Sequence, residues 1–169
     1  MPFATITSMK LINYRGGIAR FYIPSSWTEE YEPAGGATFF EDKPDSGTLR
    51  VNVMDIDKPS TGSHSAKTVY DLIAEISKTN SVKRLPSGAA IAHSTKTTIE
   101  NGKNLLLYTW QVGVSVTPAH FRVIIFTYTI LATQEFDPNV RQEIAKLDQS
   151  ISEGEYPAVR GISGNYIPD

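Results

Sequence analysis

Six carboxylates crowd one short stretch of the sequence: Glu29, Glu30, Glu32, Glu41, Asp42 and Asp45. Paired carboxylates are what glycoside hydrolysis requires, one to protonate the leaving oxygen and one to attack or to activate water. That chemistry also needs a deep cleft with aromatic subsites, and a chain of 169 residues with two tryptophans offers little material for one. A solvated acidic face is the simpler reading. Trp27, Tyr31, Phe39 and Phe40 flank the same acids, and aromatic groups ringed by charge are the usual anatomy of a protein interface. Trp27 and Phe39 can equally plug the end of a core, which leaves Tyr31 outside and Trp27 inside. The candidate partner-binding set is therefore Glu29, Glu30, Tyr31, Glu32, Glu41 and Asp42.

The other reactive side chains form no recognised pattern. A helical zinc site would show two histidines four residues apart, whereas His64, His93 and His120 lie far apart, on an expected loop and two expected strands. His93 and His120 are expected to be polar sheet positions, with a meeting across strands as the alternative. A serine hydrolase would present Gly-x-Ser-x-Gly after a strand. Gly161-Ile162-Ser163-Gly164 falls one residue short of it and sits in a tail, and Ser46 in Asp45-Ser46-Gly47 reads as turn chemistry. Gly35-Gly36 lacks the Lys and the following helix of a phosphate loop. No catalytic residue, metal ligand or cofactor is assigned on this reading.

Composition narrows the classes further. The chain contains no cysteine, which removes thiol nucleophiles, Cys-ligated zinc, iron–sulfur clusters and disulfide scaffolds. Its formal net charge of -2 argues against a general nucleic-acid binder, which carries a basic excess to displace counterions. Divided along the chain, that charge is uneven. Residues 1–57 carry 5 basic and 8 acidic side chains, residues 58–104 carry 7 and 3, and residues 105–169 carry 4 and 7. A basic middle with Lys67, Lys78, Lys83, Arg84, Lys96 and Lys103 thus lies between two acidic ends. Ordinary mixing for solubility is one reading of this, and docking of an oppositely charged protein is the other.

These side chains must be positioned by the elements that the patterning predicts. Residues 9–23 read as two short strands around the Arg15-Gly16-Gly17 turn, the second ending at Pro24. Thr38–Glu41 and Thr48–Ile56 read as two more, with Leu49, Val51 and Val53 on one face and the strand near a sheet edge. Val69, Leu72, Ile73 and Ile76 repeat at the helical period, capped by Ser63 or Ser65, with a last turn near Lys78–Asn80. Three long strands are predicted at about Ala89–Ile99, Asn104–Val116 and His120–Thr133, the first two joined at Asn101-Gly102, the strongest hairpin signal in the chain. The last two are apolar on both faces at their middles. A sheet of that kind needs cover on both sides, one layer from the first helix and one from a second. That second helix starts at Asp137 and Pro138 and stripes Val140, Ile144, Leu147 and Ile151 along one side, with Arg141, Glu143 and Lys146 keeping the other polar. A tail from Gly154 to Asp169 is expected to run along the surface.

No segment reads as an export signal, and the most apolar stretch, Phe121–Ala132, is too short to span a bilayer. The expectation is a single domain over residues 1–169, with its core at about 9–153, located in the cytoplasm. Its fold class is α+β, a central, mainly antiparallel sheet covered by helices.

The segment Phe21-Tyr22-Ile23-Pro24-Ser25-Ser26-Trp27 is similar to the opening aromatic-x-hydrophobic-Pro-x-x-Trp segment of proteins with the Mog1/PsbP-like fold, and the element order over 9–153 resembles that α/β/α sandwich. The resemblance implies a non-catalytic accessory role, since members of this fold bind a small GTPase, assist assembly of photosynthetic complexes, or act as bacterial lipoproteins and secretion chaperones. It brings no catalytic residues with it. The lipidated cysteine of the lipoprotein members is missing here, and nothing matches a photosynthetic transit peptide. The expected function is a non-enzymatic accessory, chaperone or immunity-type factor of bacterial type that docks another protein, a basic one by charge, through the acidic aromatic loops. The alternative is a small-molecule-binding or hydrolytic domain with a pocket between sheet and helix.

Overall fold

The computed structural model describes residues 8–57, 68–79 and 81–158. Strands β1 (Met9–Tyr14) and β2 (Ala19–Pro24) form a two-stranded antiparallel ribbon around a tight turn at Arg15–Gly17. They do not join the main sheet. Strands β3 (Thr28–Tyr31), β4 (Ala37–Phe40) and β5 (Thr48–Asp57) follow, then helix α1 (Val69–Ser77), and then β6 (Lys83–Arg84), β7 (Ala90–Glu100), β8 (Lys103–Thr117) and β9 (His120–Leu131). Helix α2 (Pro138–Ser152) closes the order. The seven later strands make one sheet in the order β3-β4-β5-β9-β8-β7-β6, with every neighbouring pair antiparallel. This is the α+β sandwich that the patterning predicts.

Why both faces are covered follows from β8 and β9. Trp110, Val112 and Val114 on β8 and Ile124, Phe126, Tyr128 and Ile130 on β9 point to one face and are all buried. The β1–β2 ribbon contributes Ile12, Tyr14, Phe21 and Ile23 to that core, and α2 contributes Leu147 and Ile151. Phe21 meets Phe126 edge-on at 5.0 Å between ring centroids and Phe39 at 5.9 Å. Each such ring stabilises the fold by about 1.5–3 kcal/mol through burial. Phe121 and Val123 point the other way and pack under α1 with Leu72, Ile73, Ala90 and Ala92. The two helices thus lie on opposite faces.

Helix α1 starts at Thr68, whose hydroxyl accepts from the Asp71 amide at 3.1 Å. The expected caps Ser63 and Ser65 lie outside the described residues. Its stop is Lys78, in the left-handed conformation at φ 56°. Helix α2 starts as expected, with the Asp137 carboxylate accepting from the Asn139 amide at 2.9 Å. At the Asn101-Gly102 turn φ is 52° for Asn101 and 76° for Gly102. A tight β-hairpin of this hand requires positive values at both positions.

Several expectations change. Thr28–Tyr31, read as loop, is an edge strand, and Lys83–Arg84 forms the opposite edge; neither has the alternation that marks a strand. β5 lies inside the sheet between β4 and β9, not at an edge, and its exposed Arg50 and Asn52 reflect an open face instead. On that face α1 covers only the end near β7 and the start of β9. Beyond its reach one row runs in register across six strands, Glu30, Thr38, Arg50, Thr127, Thr109 and Ser94. Threonine suits such a row because its branched carbon fits the pleat while its hydroxyl meets water. Glu143, expected on the polar side of α2, turns to the sheet and accepts from the Tyr128 hydroxyl at 2.7 Å. The expected surface tail is docked at its start: Glu155 bridges Arg20 backbone to backbone, and the ring of Tyr156 is buried.

Helix α1 approaches β8 at Gly113. A Cβ there would stand 2.6 Å from Ile73 Cγ1 and 2.7 Å from Val69 Cγ2. Replacing Gly113 by Val is expected to destabilise the protein by about 1–3 kcal/mol, the usual cost of overpacking, read as a lower urea midpoint. An unchanged midpoint would show that α1 does not pack this closely.

Candidate functional site

The strand assignment of Thr28–Tyr31 decides how the acidic candidates are arranged, because successive residues of a strand point to opposite faces. Glu29 and Tyr31 lie on the ribbon side. Lys10 Nζ is 2.8 Å from Glu29 Oε2, and the Tyr31 hydroxyl donates to Glu29 Oε1 at 2.6 Å. The Lys10 contact, followed by that of Tyr31, holds the Glu29 carboxyl below the usual carboxylate range, because both contacts favour the charged form. Lys10 is itself anchored by donating to the Trp27 carbonyl at 2.7 Å. Tyr31 is 54% exposed and meets Phe39 edge-on, whereas Trp27 is 3% exposed and stacks on Tyr128 with rings 10° from parallel. One aromatic is outside and one inside, as the sequence implies.

Glu30 lies on the opposite, open face, in register with Thr38. Glu32 begins the turn into β4, where its amide donates to the Gly36 carbonyl at 3.0 Å. Both carboxylates are exposed, and neither forms an ion pair among the described residues. Glu41 and Asp42 lie past the other end of β4. The length of that strand puts them about 13 Å away, at roughly 3.3 Å of rise per residue. Lys43 Nζ is 3.0 Å from Glu41 Oε2, and that contact raises the Lys43 pKa. The structure therefore separates the six candidates into Glu29 with Tyr31, Glu30 with Glu32, and Glu41 with Asp42.

The strongest titratable cluster is one that sequence spacing hides. His120 starts β9, opposite Asp57 at the end of β5, and one pleat from Asp55. Its Nδ1 is 2.7 Å from Asp57 Oδ1 and its Nε2 is 3.2 Å from Asp55 Oδ1, partners 63 and 65 residues away. Neutral imidazole has one N–H donor, so only the imidazolium satisfies both carboxylates. Asp57 first, and then Asp55, raise the His120 pKa above 6.5, as neighbouring carboxylates do by favouring the cation. Arg122, 1% exposed, places its Nε 3.5 Å from the same Asp55 oxygen. With both nitrogens engaged, His120 is not poised as a base or a metal ligand. Among the described residues no group of three His, Asp or Glu side chains could hold a metal ion.

His93 does not meet His120. It stands opposite Trp110, which pairs with Phe126. Phe126 is about 20 Å along β9 from His120, at roughly 3.3 Å of rise per residue. The His93 ring stacks on Tyr108 and lies 5.0 Å from the Trp110 ring, and its Nδ1 donates to the Thr109 carbonyl at 3.2 Å. Trp110 Nε1 donates to Asp148 at 2.8 Å, so this cluster fastens α2 to the sheet. His64 and Ser163 lie outside the described residues. A cleft does open between α1 and the sheet, but neither His93 nor His120 lines it, and no carboxylate does among the described residues.

The charge pattern becomes spatial in the sheet order. β3, carrying Glu29 and Glu30, is one edge, and β6, carrying Lys83 and Arg84, is the other. Six strand spacings separate them, about 29 Å. Lys96 lies on β7 beyond Ile91, where the pairing with β6 ends, and Lys67 lies outside the described residues.

This architecture is the Mog1-like α/β/α sandwich. Three solved structures share it with the chain. A Bacteroides thetaiotaomicron protein aligns with a TM-score of 0.58 at 15% identity, over 88% of this chain and 48% of its own length, so the chain spans about half of that protein. LpqN, involved in cell envelope biogenesis of Mycobacterium tuberculosis, aligns at 0.56 and 13% identity over 91% of this chain and 87% of that one. The Ran-binding protein Mog1p of Saccharomyces cerevisiae aligns at 0.52 and 9% identity over 89% of this chain and 96% of that one. At these identities the likeness is one of fold. No protein-family profile matches the chain, and no curated protein matches it in sequence.

The His120 cluster has a defined pH signature. The folded-state pKa is raised above the ordinary value of 6.5. Its stabilisation is therefore fully present below that ordinary value and is lost as pH rises through the folded one. His120→Gln is expected to lower the urea midpoint more at pH 5.5 than at pH 9. Equal losses at both pH values would show that His120 is not held as imidazolium.

Proposed function

We propose that the protein is a single-domain, non-enzymatic binding module that docks a basic protein partner through its acidic β3 edge. The observation that carries this reading is the opposition of the two sheet edges, acidic at β3 and basic at β6. Such polarity steers a partner's approach and fixes its register even when total charge is near zero. Within the edge, Glu30 and Glu32 are the groups available to a partner, because Lys10 holds Glu29 and Lys43 holds Glu41. Exposed Tyr31 supplies an aromatic surface on the other face of the same edge.

The solved structure of a Ran-binding protein with this fold supports a docking role. Both described histidines are tied into the fold, His120 between two carboxylates and His93 against the aromatic cluster that fastens α2. An accessory, chaperone or immunity role is the biological form this docking takes. The module acts in the cytoplasm on this reading.

The test is a paired substitution. Glu30→Lys with Glu32→Lys is expected to leave the circular dichroism spectrum and urea midpoint close to wild type, because both side chains are exposed. Partner recovery from native lysate at low salt is expected to fall about tenfold or more, and wild-type recovery to fall as salt rises. Equal recovery by wild type and variant would remove the acidic edge as the docking surface.

A further inference from the structure

We propose that the cleft between α1 and the sheet is a binding site for a small linear monocarboxylate, with the carboxylate on Arg84 and the alkyl chain on the apolar walls. The cleft has a volume of about 320 Å³, at the lower end of the range for small-molecule sites and ample for a medium alkyl chain. Val69 and Tyr70 of α1, Ala90 of β7, and Pro118 and Phe121 around the start of β9 form its walls. These are apolar surfaces with no carboxylate among them. An alkyl chain gains from burial there, and the Asp71 carboxylate at the rim is held by the Thr68 hydroxyl.

Among the described residues Arg84 is the single cation of the lining. Its side chain is exposed and makes no ion pair or hydrogen bond among the described residues. A guanidinium is a planar fork that matches a carboxylate through two parallel N–H donors. The neighbouring hydroxyls are already committed. Thr68 accepts from the Asp71 amide and donates to the Asp71 carboxylate at 2.9 Å, and Tyr70 donates to the Val82 carbonyl at 2.7 Å. Among the described residues the cleft thus offers one uncommitted cation, which suits one negative charge.

A second hollow of about 290 Å³, lined in part by Val114, Glu155, Tyr156 and Pro157, touches the first at Gly88 and Ser115 but draws on the core of the α2 side.

The experiment is titration of isotope-labelled protein with sodium octanoate, followed by amide NMR shifts, with 1-octanol as the uncharged counterpart. Saturable shifts are expected at Val69, Ala90 and Phe121. Arg84→Gln is expected to weaken octanoate binding about tenfold, the effect of losing one charge-assisted contact, while Arg84→Lys weakens it less. Ser115→Leu, which adds bulk to the cleft wall from an exposed position, is expected to reduce binding without removing the charge. The proposal is overturned if no saturable shift occurs up to on the order of 10 mM, a weak limit for a ligand of this size. It is equally overturned if octanol binds as well as octanoate, or if Arg84→Gln binds unchanged.

Discussion

The two-sided burial of the β8–β9 ladder is the constraint on which the rest of the structure depends. Phe126 and Tyr128 face one core while Phe121 and Val123 face the other, and a strand pair of that kind is stable only with a layer on each side. The β1–β2 ribbon and α2 supply one layer, and α1 supplies part of the other. Because α1 covers only one end of its face, the remaining end stays wet and threonine-rich. The sheet can then extend outward to two short edges, β3 and β6, that need not be apolar. Charge is what blunts such edges, and here each edge has its own sign.

The functional reading follows from that division of labour. The core fixes the edges about 29 Å apart, and the edges carry the groups a partner would meet. Ion pairs at Lys10–Glu29 and Lys43–Glu41 anchor the acidic side to the fold and take two of its carboxylates out of play. Exposed pairs of this kind add little stability, so their effect is one of placement. What remains on the edge is Glu30, Glu32 and Tyr31. At the far end of β5, His120 joins two carboxylates that would otherwise repel each other across one pleat.

Much of this was legible in the residues. Long apolar runs marked the long strands, Asn101-Gly102 fixed the hairpin of the first two, and Asp137-Pro138 placed the start of α2. The edge strands escaped because Thr-Glu-Glu-Tyr and Lys-Arg have no buried face and therefore no hydrophobic period. Missing β3 meant reading six acidic and aromatic candidates as one loop surface, when strand alternation puts Glu29 and Glu30 on opposite faces. The ribbon's separation from the main sheet was illegible for another reason, since pairing partners are chosen by tertiary packing and not by local pattern. The same holds for His120, whose carboxylates lie more than sixty residues away in sequence and one strand away in space.

If the acidic edge, and not the basic one, meets the partner, a crosslinker on each edge will tell them apart. A photoactivatable benzophenone residue is placed at position 30 on β3 or at position 83 on β6, and the protein is irradiated in its native host. Docking through β3 gives a discrete covalent adduct with a basic protein from position 30 and none from position 83. An adduct from position 83 with none from position 30 would contradict it.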